Sequence, residues 1–175
     1  MTDGLSCTSR MSLNWQPATL DEAARQSLMR EAALLLATIN QMEASHELES
    51  SGPETRRFER LEAKLDLALH LLVRVLEPGD NAANPMPAGR RVRLTPQEAE
   101  WEDEAPPVVG TRLLLELRPS EHLPLSLRLP AIAREPQAGL ARVQFENLSA
   151  ALDDALHQWL FRRQRQAIRS RLVSE

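Results

Sequence analysis

A seven-residue repeat of apolar side chains in the first half of the chain restricts the possible folds more than any other feature. Its members are separated alternately by three and four positions: Phe58, Leu61, Leu65, Ala68, Leu72 and Val75. This spacing is the heptad pattern of a helix that packs against other helices along a narrow apolar seam. The sequence therefore predicts a helix from about Pro53 to about Glu77. The following Pro78 and Gly79 end it.

The apolar surface of this helix widens toward its end. In the stretch LALHLLVRVL, further leucines flank the seam, and the face becomes wider than a two-stranded coiled coil covers. Either the preceding helix folds back as a helical hairpin, or several chains associate, or both. We favour association over intramolecular packing alone, because two helices would leave much of the leucine surface in water. The predicted oligomer interface consists of Phe58, Leu61, Leu65, Ala68, Leu69, Leu72, Val75 and Leu76.

A first helix precedes the heptad helix. Thr19 is its predicted cap, and an apolar stripe follows at helical spacing. The stripe consists of Leu28, Ala32, Leu35, Ile39 and Met42. The two helices form a predicted oligomerisation element over residues 18–77, preceded by a flexible N-terminus over 1–17. Residues 78–89 are rich in Pro, Gly and Asn and form a predicted linker.

The remainder of the chain, residues 90–172, has the pattern of a small sheet followed by a helix. Five short runs are separated by Pro and Gly: RRVRLT, EAEWED, GTRLLLELR, LPLSLRLPAIA and GLARVQFE. Such spacing predicts a small antiparallel sheet or barrel, with Ala99 and Trp101 facing inward. The last helix is capped by Asn147 or Ser149. Its predicted apolar face consists of Leu148, Leu152, Leu156, Trp159 or Leu160, and Ile168.

Composition and motifs argue against several classes of function. The net charge is −4, Cys7 is the only cysteine, and the four histidines have no metal-ligand spacing. No nucleophile elbow or glycine-rich phosphate loop occurs. No secretory signal is recognisable, and no apolar run reaches the length of a membrane span. We therefore expect a cytoplasmic protein that is not an enzyme, with no metal, no cofactor and no membrane insertion.

Two basic segments remain as candidate binding sites. In the first predicted strand, Arg91, Arg93 and Thr95 lie on one face and apolar residues on the other. These arginines suit an anion, and they also suit the protection of an exposed sheet edge. The C-terminal helix carries Arg162, Arg163, Arg165, Arg169 and Arg171. A weaker hypothesis is that this helix contacts nucleic acid or acidic lipid, although the absence of tyrosine argues against single-strand recognition.

Residues 88–172 resemble the PilZ domain family. The resemblance rests on the arginine-rich first strand and on GTRLLLELR, VQFENLS and LDDALHQWLFRRQRQ, in this order. It implies a small antiparallel β-barrel with a C-terminal helix. It also implies a ligand, the bacterial second messenger cyclic di-GMP, held by an RxxxR motif and a [D/N]xSxxG motif.

The chain departs from both ligand motifs. The second motif falls on RLTPQE, where Arg93 takes the acidic or amide position, Thr95 the serine position and Glu98 the glycine position. No RxxxR precedes it, since Arg90 and Arg91 are adjacent. Loss of the ligand motifs together with an added heptad helix resembles the atypical, tetrameric branch of the family.

The sequence thus predicts an α+β fold: an N-terminal helical hairpin with the heptad helix, then a small antiparallel PilZ-like barrel closed by a C-terminal helix. The predicted function is a homotetrameric, non-enzymatic adaptor in cyclic di-GMP-related bacterial signalling, which presents one surface to an unidentified protein partner. We do not expect nucleic acid to be that partner. The alternative is a receptor that binds cyclic di-GMP through Arg90, Arg91, Arg93 and Thr95.

Overall fold

The computed structural model describes residues 5–47, 88–119 and 126–173, together with the helical positions Leu61, Leu65 and Ala68. Within these residues, seven strands form one antiparallel sheet, and two long helices accompany it. The strands are β1 (Cys7–Met11), β2 (Leu13–Pro17), β3 (Arg90–Leu94), β4 (Glu98–Trp101), β5 (Arg112–Leu117), β6 (Leu127–Gln137) and β7 (Leu140–Phe145). The helices are α1 (Glu22–Glu47) and α2 (Ala150–Val173). The α+β class is therefore confirmed.

The sheet curls because its two edge strands are consecutive in the chain. The strand order is β1-β3-β4-β7-β6-β5-β2, and only Ser12 separates β1 from β2. The chain therefore passes from one edge of the sheet to the other within one residue, which brings the two edges together. The amide of Arg118, just after β5, donates to the carbonyl of Ser12 at 3.0 Å. The predicted barrel is thus observed as a curled antiparallel sheet.

The N-terminal prediction is wrong for Cys7–Pro17, which forms the two edge strands rather than a flexible segment. The physical reason is burial: Cys7, Met11 and Leu13 alternate along the chain and all enter the core. In an extended strand such alternate residues share one face. These three side chains join the same hydrophobic core as the buried residues of β3 to β7.

A tight turn fixes the pairing of β6 with β7. Ala138 and Gly139 both have positive φ, at 52° and 81°, as a two-residue type I′ turn requires. The turn places Gln137 opposite Leu140, and after an irregularity Arg134 lies opposite Arg142. Two outward arginines are thereby held side by side.

The inner face of the sheet forms one core with the two helices. Val92, Ala99 and Trp101 point into it as the alternation predicts, and α2 adds Leu156 and Trp159. The predicted stripe of α1 is buried from Leu28 to Ile39, because α1 packs against both α2 and β6. The side chain of Met42 lies outside the described residues. Ile168, predicted on the apolar face of the last helix, does not belong to the core, since its side chain is 53% exposed.

Both helix starts are capped by short polar side chains. The Asp21 carboxylate accepts a hydrogen bond from the Ala24 amide at 2.7 Å, so Asp21 caps α1 in place of the predicted Thr19. The Ser149 hydroxyl accepts from the Leu152 amide at 3.3 Å, which makes Ser149 the cap of α2. Asn147, the other predicted cap, lies in the preceding turn with a φ of 40°.

Several predictions fall outside the described residues. They concern the packing of the heptad helix against the first helix, most of the linker at 78–89, and five positions of the predicted oligomer interface: Phe58, Leu69, Leu72, Val75 and Leu76. Neither α1 nor α2 contains a stretch that is long and apolar enough to cross a membrane.

Candidate functional site

Strand β3 carries three of the four residues proposed as ligand contacts, and the fourth follows it directly. Val92 and Leu94 are buried, whereas Arg91 and Arg93 are exposed on the opposite face. This alternation is the one expected from the sequence. The outward residues of β3 therefore lie on the surface of the curled sheet, where their guanidinium groups could meet an anion.

The Thr95 hydroxyl is used inside the turn between β3 and β4. Its oxygen accepts hydrogen bonds from the amides of Glu98 at 2.9 Å and Gln97 at 3.2 Å. The backbone adds a bond from the Thr95 amide to the Glu98 carbonyl at 2.9 Å. Hydroxyl side chains commonly close turns in this way. The one group retained from the ligand motif thus stabilises the turn.

Glu98, at the glycine position of the resembled motif, binds an arginine of β7. Arg142 donates to both carboxylate oxygens of Glu98, with Nη2 at 2.7 Å from each and Nε at 3.1 Å from Oε2. The hydrogen bonds to Glu98 raise the pKa of Arg142, against a smaller opposing effect of burial. A bidentate pair of this kind is among the stronger polar contacts in proteins. The position that would need to be empty for a ligand is therefore filled by an ion pair.

A second glutamate extends this pair into a network across three strands. Glu100 lies between Arg93 and Arg142 in register, with nitrogen-to-oxygen distances of 3.2 Å and 3.8 Å. The outward row thus reads Arg93, Glu100, Arg142, with Glu98 beside the last. Two of its arginine charges are neutralised within the sheet.

Arg90 points to the rim of the sheet and does not join the other proposed contacts. Its Nη1 lies 3.4 Å from the Asp103 carboxylate and 3.3 Å from the Glu102 carbonyl. Asp103 also accepts from the indole nitrogens of Trp101 at 2.8 Å and Trp15 at 3.0 Å. Arg90 therefore belongs to a structural cluster.

Asp103 is ionised more readily than an ordinary aspartate. Burial is the largest single influence and raises its pKa. The hydrogen bonds from Trp101, Trp15 and the Ala105 amide, together with the charge of Arg90, lower the pKa by a larger total amount. The net pKa lies below the usual value. The cluster thus holds a carboxylate whose charge stabilises the join between β2, β3 and β4.

Sequence reasoning missed Arg10, which the structure places directly opposite Arg91. The two residues pair in register between β1 and β3, and both are exposed. Arg10 donates from Nε to the Gly89 carbonyl at 2.9 Å. In the described part of the chain, the Arg91 side chain forms no hydrogen bond or ion pair. The sequence signal for Arg10 is weak: Cys7 and Met11 lie on one face of the strand, but Ser9 stands between them on that face.

Three positions of the predicted oligomer interface are described, and all three are helical and exposed. Leu61 is 60% exposed and Leu65 63%, and Ala68 is exposed as well. The single chain therefore leaves this part of the seam uncovered.

The C-terminal arginines divide into two groups. Arg162 donates to the Asn40 carbonyl of α1, and Arg163 donates to the Pro119 carbonyl at 2.8 Å while its guanidinium lies 5.4 Å from the Trp159 ring centre. Arg165 and Arg169 are exposed. Arg162 and Arg163 thus connect α2 to the rest of the fold.

A surface cavity of about 250 Å³ lies beside the start of α1. Its charged lining residues form two ion pairs, one between Arg25 and Glu22 and one between Arg112 and Glu146. Each arginine of the cavity already has a carboxylate partner, so the cavity is a poor match to an anion.

Comparisons with known proteins give a family. Residues 33–171 match the family described as atypical PilZ domain, cyclic di-GMP receptor. A crystal structure of a pathogenic protein from Xanthomonas campestris is similar, with 27% identity and a TM-score of 0.68, over 96% of this chain and 92% of the other. That protein is described as a tetrameric PilZ domain that self-assembles through an unusual helical bundle. No curated protein sequence matches significantly. Because the family match spans well over half of its residues, the chain belongs to the atypical PilZ domain family.

Proposed function

We propose that this chain is a non-enzymatic adaptor in cyclic di-GMP-related bacterial signalling, and that it does not bind the messenger through the first strand of its PilZ region. The observation that carries the proposal is the internal use of that strand's polar groups. Thr95 closes a turn, Glu98 pairs with Arg142, and Arg93 pairs with Glu100. A dianionic ligand would have to break these contacts and approach two carboxylates.

We further propose that the adaptor is a homotetramer. Support comes from the exposure of Leu61 and Leu65, because exposed large leucines at heptad spacing are typical of a surface that another helix covers. The helical bundle of the similar Xanthomonas campestris protein supports the same assembly. A tetramer presents four copies of each surface, and multivalency raises the overall affinity for a repeated partner without any new contact.

The second candidate function is a cyclic di-GMP receptor, as the description of the matched family states. The exposed Arg91 favours it, since a free guanidinium can bind phosphate or a guanine edge. In this alternative the other contacts of the strand would rearrange on binding.

Isothermal titration calorimetry with cyclic di-GMP separates the two functions. For the adaptor we expect no saturable heat at high micromolar ligand, whereas a PilZ domain that retains both motifs, titrated in parallel, gives a clear isotherm. Saturable heat that disappears in Arg91→Ala and persists in Arg30→Ala would establish the receptor instead. Arg30 is a suitable control because it is an exposed arginine on α1.

A further inference from the structure

On part of the outward surface of the sheet, positively charged side chains outnumber negatively charged ones. Along the register-paired outward positions of β1, β3, β4, β7 and the adjoining part of β6 lie five arginines and two glutamates: Arg10, Arg91, Arg93, Arg134, Arg142, Glu98 and Glu100. We call this surface the arginine face. It is basic, although the whole chain has a net charge of −4. Neighbouring strands are about 4.8 Å apart, so the row from Arg134 to Arg93 spans roughly 14 Å.

The arginine face contains two pairs of like charges set directly opposite each other. Arg10 faces Arg91 across β1 and β3, and Arg134 faces Arg142 across β6 and β7. Arg142 is neutralised by the glutamates, and Arg134 binds the Gln144 amide oxygen with 2.9 Å to its Nε. At the first pair, Arg10 binds only a backbone carbonyl among the described residues. Like charges opposite each other oppose sheet formation, so Arg10 and Arg91 are unfavourable for the fold as it stands.

Protection of a sheet edge does not explain Arg91. Edge strands often carry cations that discourage pairing with another sheet. Strand β3, however, is an interior strand, because it pairs with β1 on one side and β4 on the other. Arg93 is paired with Glu100, but Arg91 needs a different explanation, and an anionic partner supplies one.

We propose that the arginine face, centred on Arg10 and Arg91, is a docking surface for an acidic segment of a partner protein. The inference rests on the proposed adaptor function and names the chemistry of its partner. Guanidinium groups bind carboxylates in bidentate geometry, and two of them side by side suit neighbouring Asp or Glu residues. Carboxylates seated between Arg10 and Arg91 would relieve the repulsion that the free fold retains.

The composition of the face favours a protein segment over nucleic acid. Glu98 and Glu100 lie within it, and a phosphate backbone with uniformly spaced negative charges would meet both of them. A peptide can place its carboxylates at the arginines and other side chains at the glutamates. The register-paired outward positions include no aromatic residue on which a base could stack. Electrostatic complementarity of this mixed kind is what selects protein partners.

Fluorescence anisotropy with a defined probe tests the proposal. The probe is a fluorescein-labelled peptide in which glutamate alternates with serine, titrated with the full chain at low and at moderate salt. We expect Arg91→Glu to weaken binding about tenfold or more, since it removes one cation and places a carboxylate beside Arg10. Arg91→Gln, which only removes the charge, should weaken binding to a smaller extent. The control Arg30→Glu makes the same change of net charge on α1 and should bind like the wild type.

Other outcomes overturn the docking surface. Absence of peptide binding, equal weakening in Arg91→Glu and Arg30→Glu, or tighter binding of a duplex DNA probe through Arg91 would each contradict it. Circular dichroism and thermal unfolding of Arg91→Glu establish that the variant is folded. Calorimetry with cyclic di-GMP and the mass of the particle test the adaptor itself. A negative peptide result with no messenger binding and an intact oligomer would refute only the docking surface.

Discussion

At the scale of single residues, Asp103 connects three strands through one carboxylate. One carboxylate oxygen accepts from two indole nitrogens, those of Trp15 in β2 and Trp101 in β4, and it also lies near Arg90 of β3. The other oxygen accepts from the Ala105 amide at 3.2 Å. Removing the carboxylate would leave partly buried donors unpaired, which is more costly than the loss of an exposed hydrogen bond.

We expect Asp103→Ala to lower the free energy of unfolding by about 1–3 kcal/mol, because the two indoles and Arg90 lose their common acceptor. The effect depends on pH in a defined direction. The pKa of Asp103 is lower in the folded chain than in the unfolded chain. Its contribution to the free energy of unfolding is therefore complete above the unfolded pKa of about 3.9, and it is lost as the pH falls through the folded pKa.

Thermal unfolding of the wild type and of Asp103→Asn across that pH range measures this contribution. The difference in melting temperature should be largest near neutral pH and should shrink in acid. Glu102→Gln is the matched control, because Glu102 is exposed and Arg90 contacts only its backbone. A difference between wild type and Asp103→Asn that stays constant with pH would refute the assignment.

The repulsion between Arg10 and Arg91 can be measured by reversing their charges. Because they are directly opposed, reversing the charge of either one converts a repulsive cross-strand pair into an attractive one. Attractive and repulsive cross-strand pairs differ in their contribution to the free energy of unfolding by a few tenths of a kcal/mol to about 1 kcal/mol. Urea denaturation of Arg10→Glu, Arg91→Glu and the double variant forms a double-mutant cycle. We expect the double variant to be less stable than the two single changes predict by addition. Additive effects would mean that the two guanidiniums do not interact.

At the scale of elements, strands β3 to β7 and both described helices could be predicted from the sequence, whereas β1 and β2 could not. The predicted strands either alternate apolar and polar residues, as in Arg90–Leu94, or contain an apolar run, as in Leu113–Leu115. The edge strands show these patterns only weakly: the inward position between Cys7 and Met11 is Ser9, and β2 holds only Leu13 and Trp15 as large apolar residues. Their strand conformation is imposed by the partners β3 and β5 rather than by local preference.

The candidate site was predictable in its β3 residues, but neither Arg10 nor the contacts of these residues could be predicted. Alternation correctly placed Arg91 and Arg93 outward. Their contacts depend on the strand order, which puts β7 beside β4 and brings Arg142 to Glu98 across 44 positions of sequence. No local pattern announces a contact of that length. The same holds for Arg10, which lies opposite Arg91 because β1 pairs with β3. The two residues are 81 positions apart in the sequence.

The burial of one face of helix α1 can be tested by substitution. Leu36 lies on α1 and is fully buried in the core. Leu34, two positions earlier on the same helix, is 46% exposed. We expect Leu36→Ala to cost about 2–5 kcal/mol, through lost burial and the cavity that remains. Leu34→Ala should change stability little, since alanine favours helix and little burial is lost. Urea denaturation measures both. Equal effects of the two substitutions would contradict the packing of α1 onto α2 and β6.

At the scale of the whole molecule, the two surfaces of the chain have different chemistry and suit different roles. The heptad leucines are apolar and uncovered at Leu61 and Leu65, which suits contact with further copies of the chain. The arginine face is charged and lies on the curled sheet, formed by elements separate from the heptad helix. The two surfaces share no residue, and where an assembly presents the second surface in several copies, weak contacts at each copy combine into tight binding of a multivalent partner.

The proposed tetramer can be tested by its mass in solution. Light scattering coupled to size-exclusion chromatography should give the mass of four chains of 19.7 kDa each. We expect the double variant Leu61→Asp with Leu65→Asp to dissociate, because a buried carboxylate in a helical seam is strongly unfavourable. Both leucines are exposed in the single chain, so the separated chain should keep its circular dichroism spectrum. Val108→Asp is the control: Val108 is a highly exposed apolar residue between β4 and β5 and should leave the mass unchanged. A wild-type monomer, or a double variant that remains a tetramer, would show that the heptad seam does not hold the chains together.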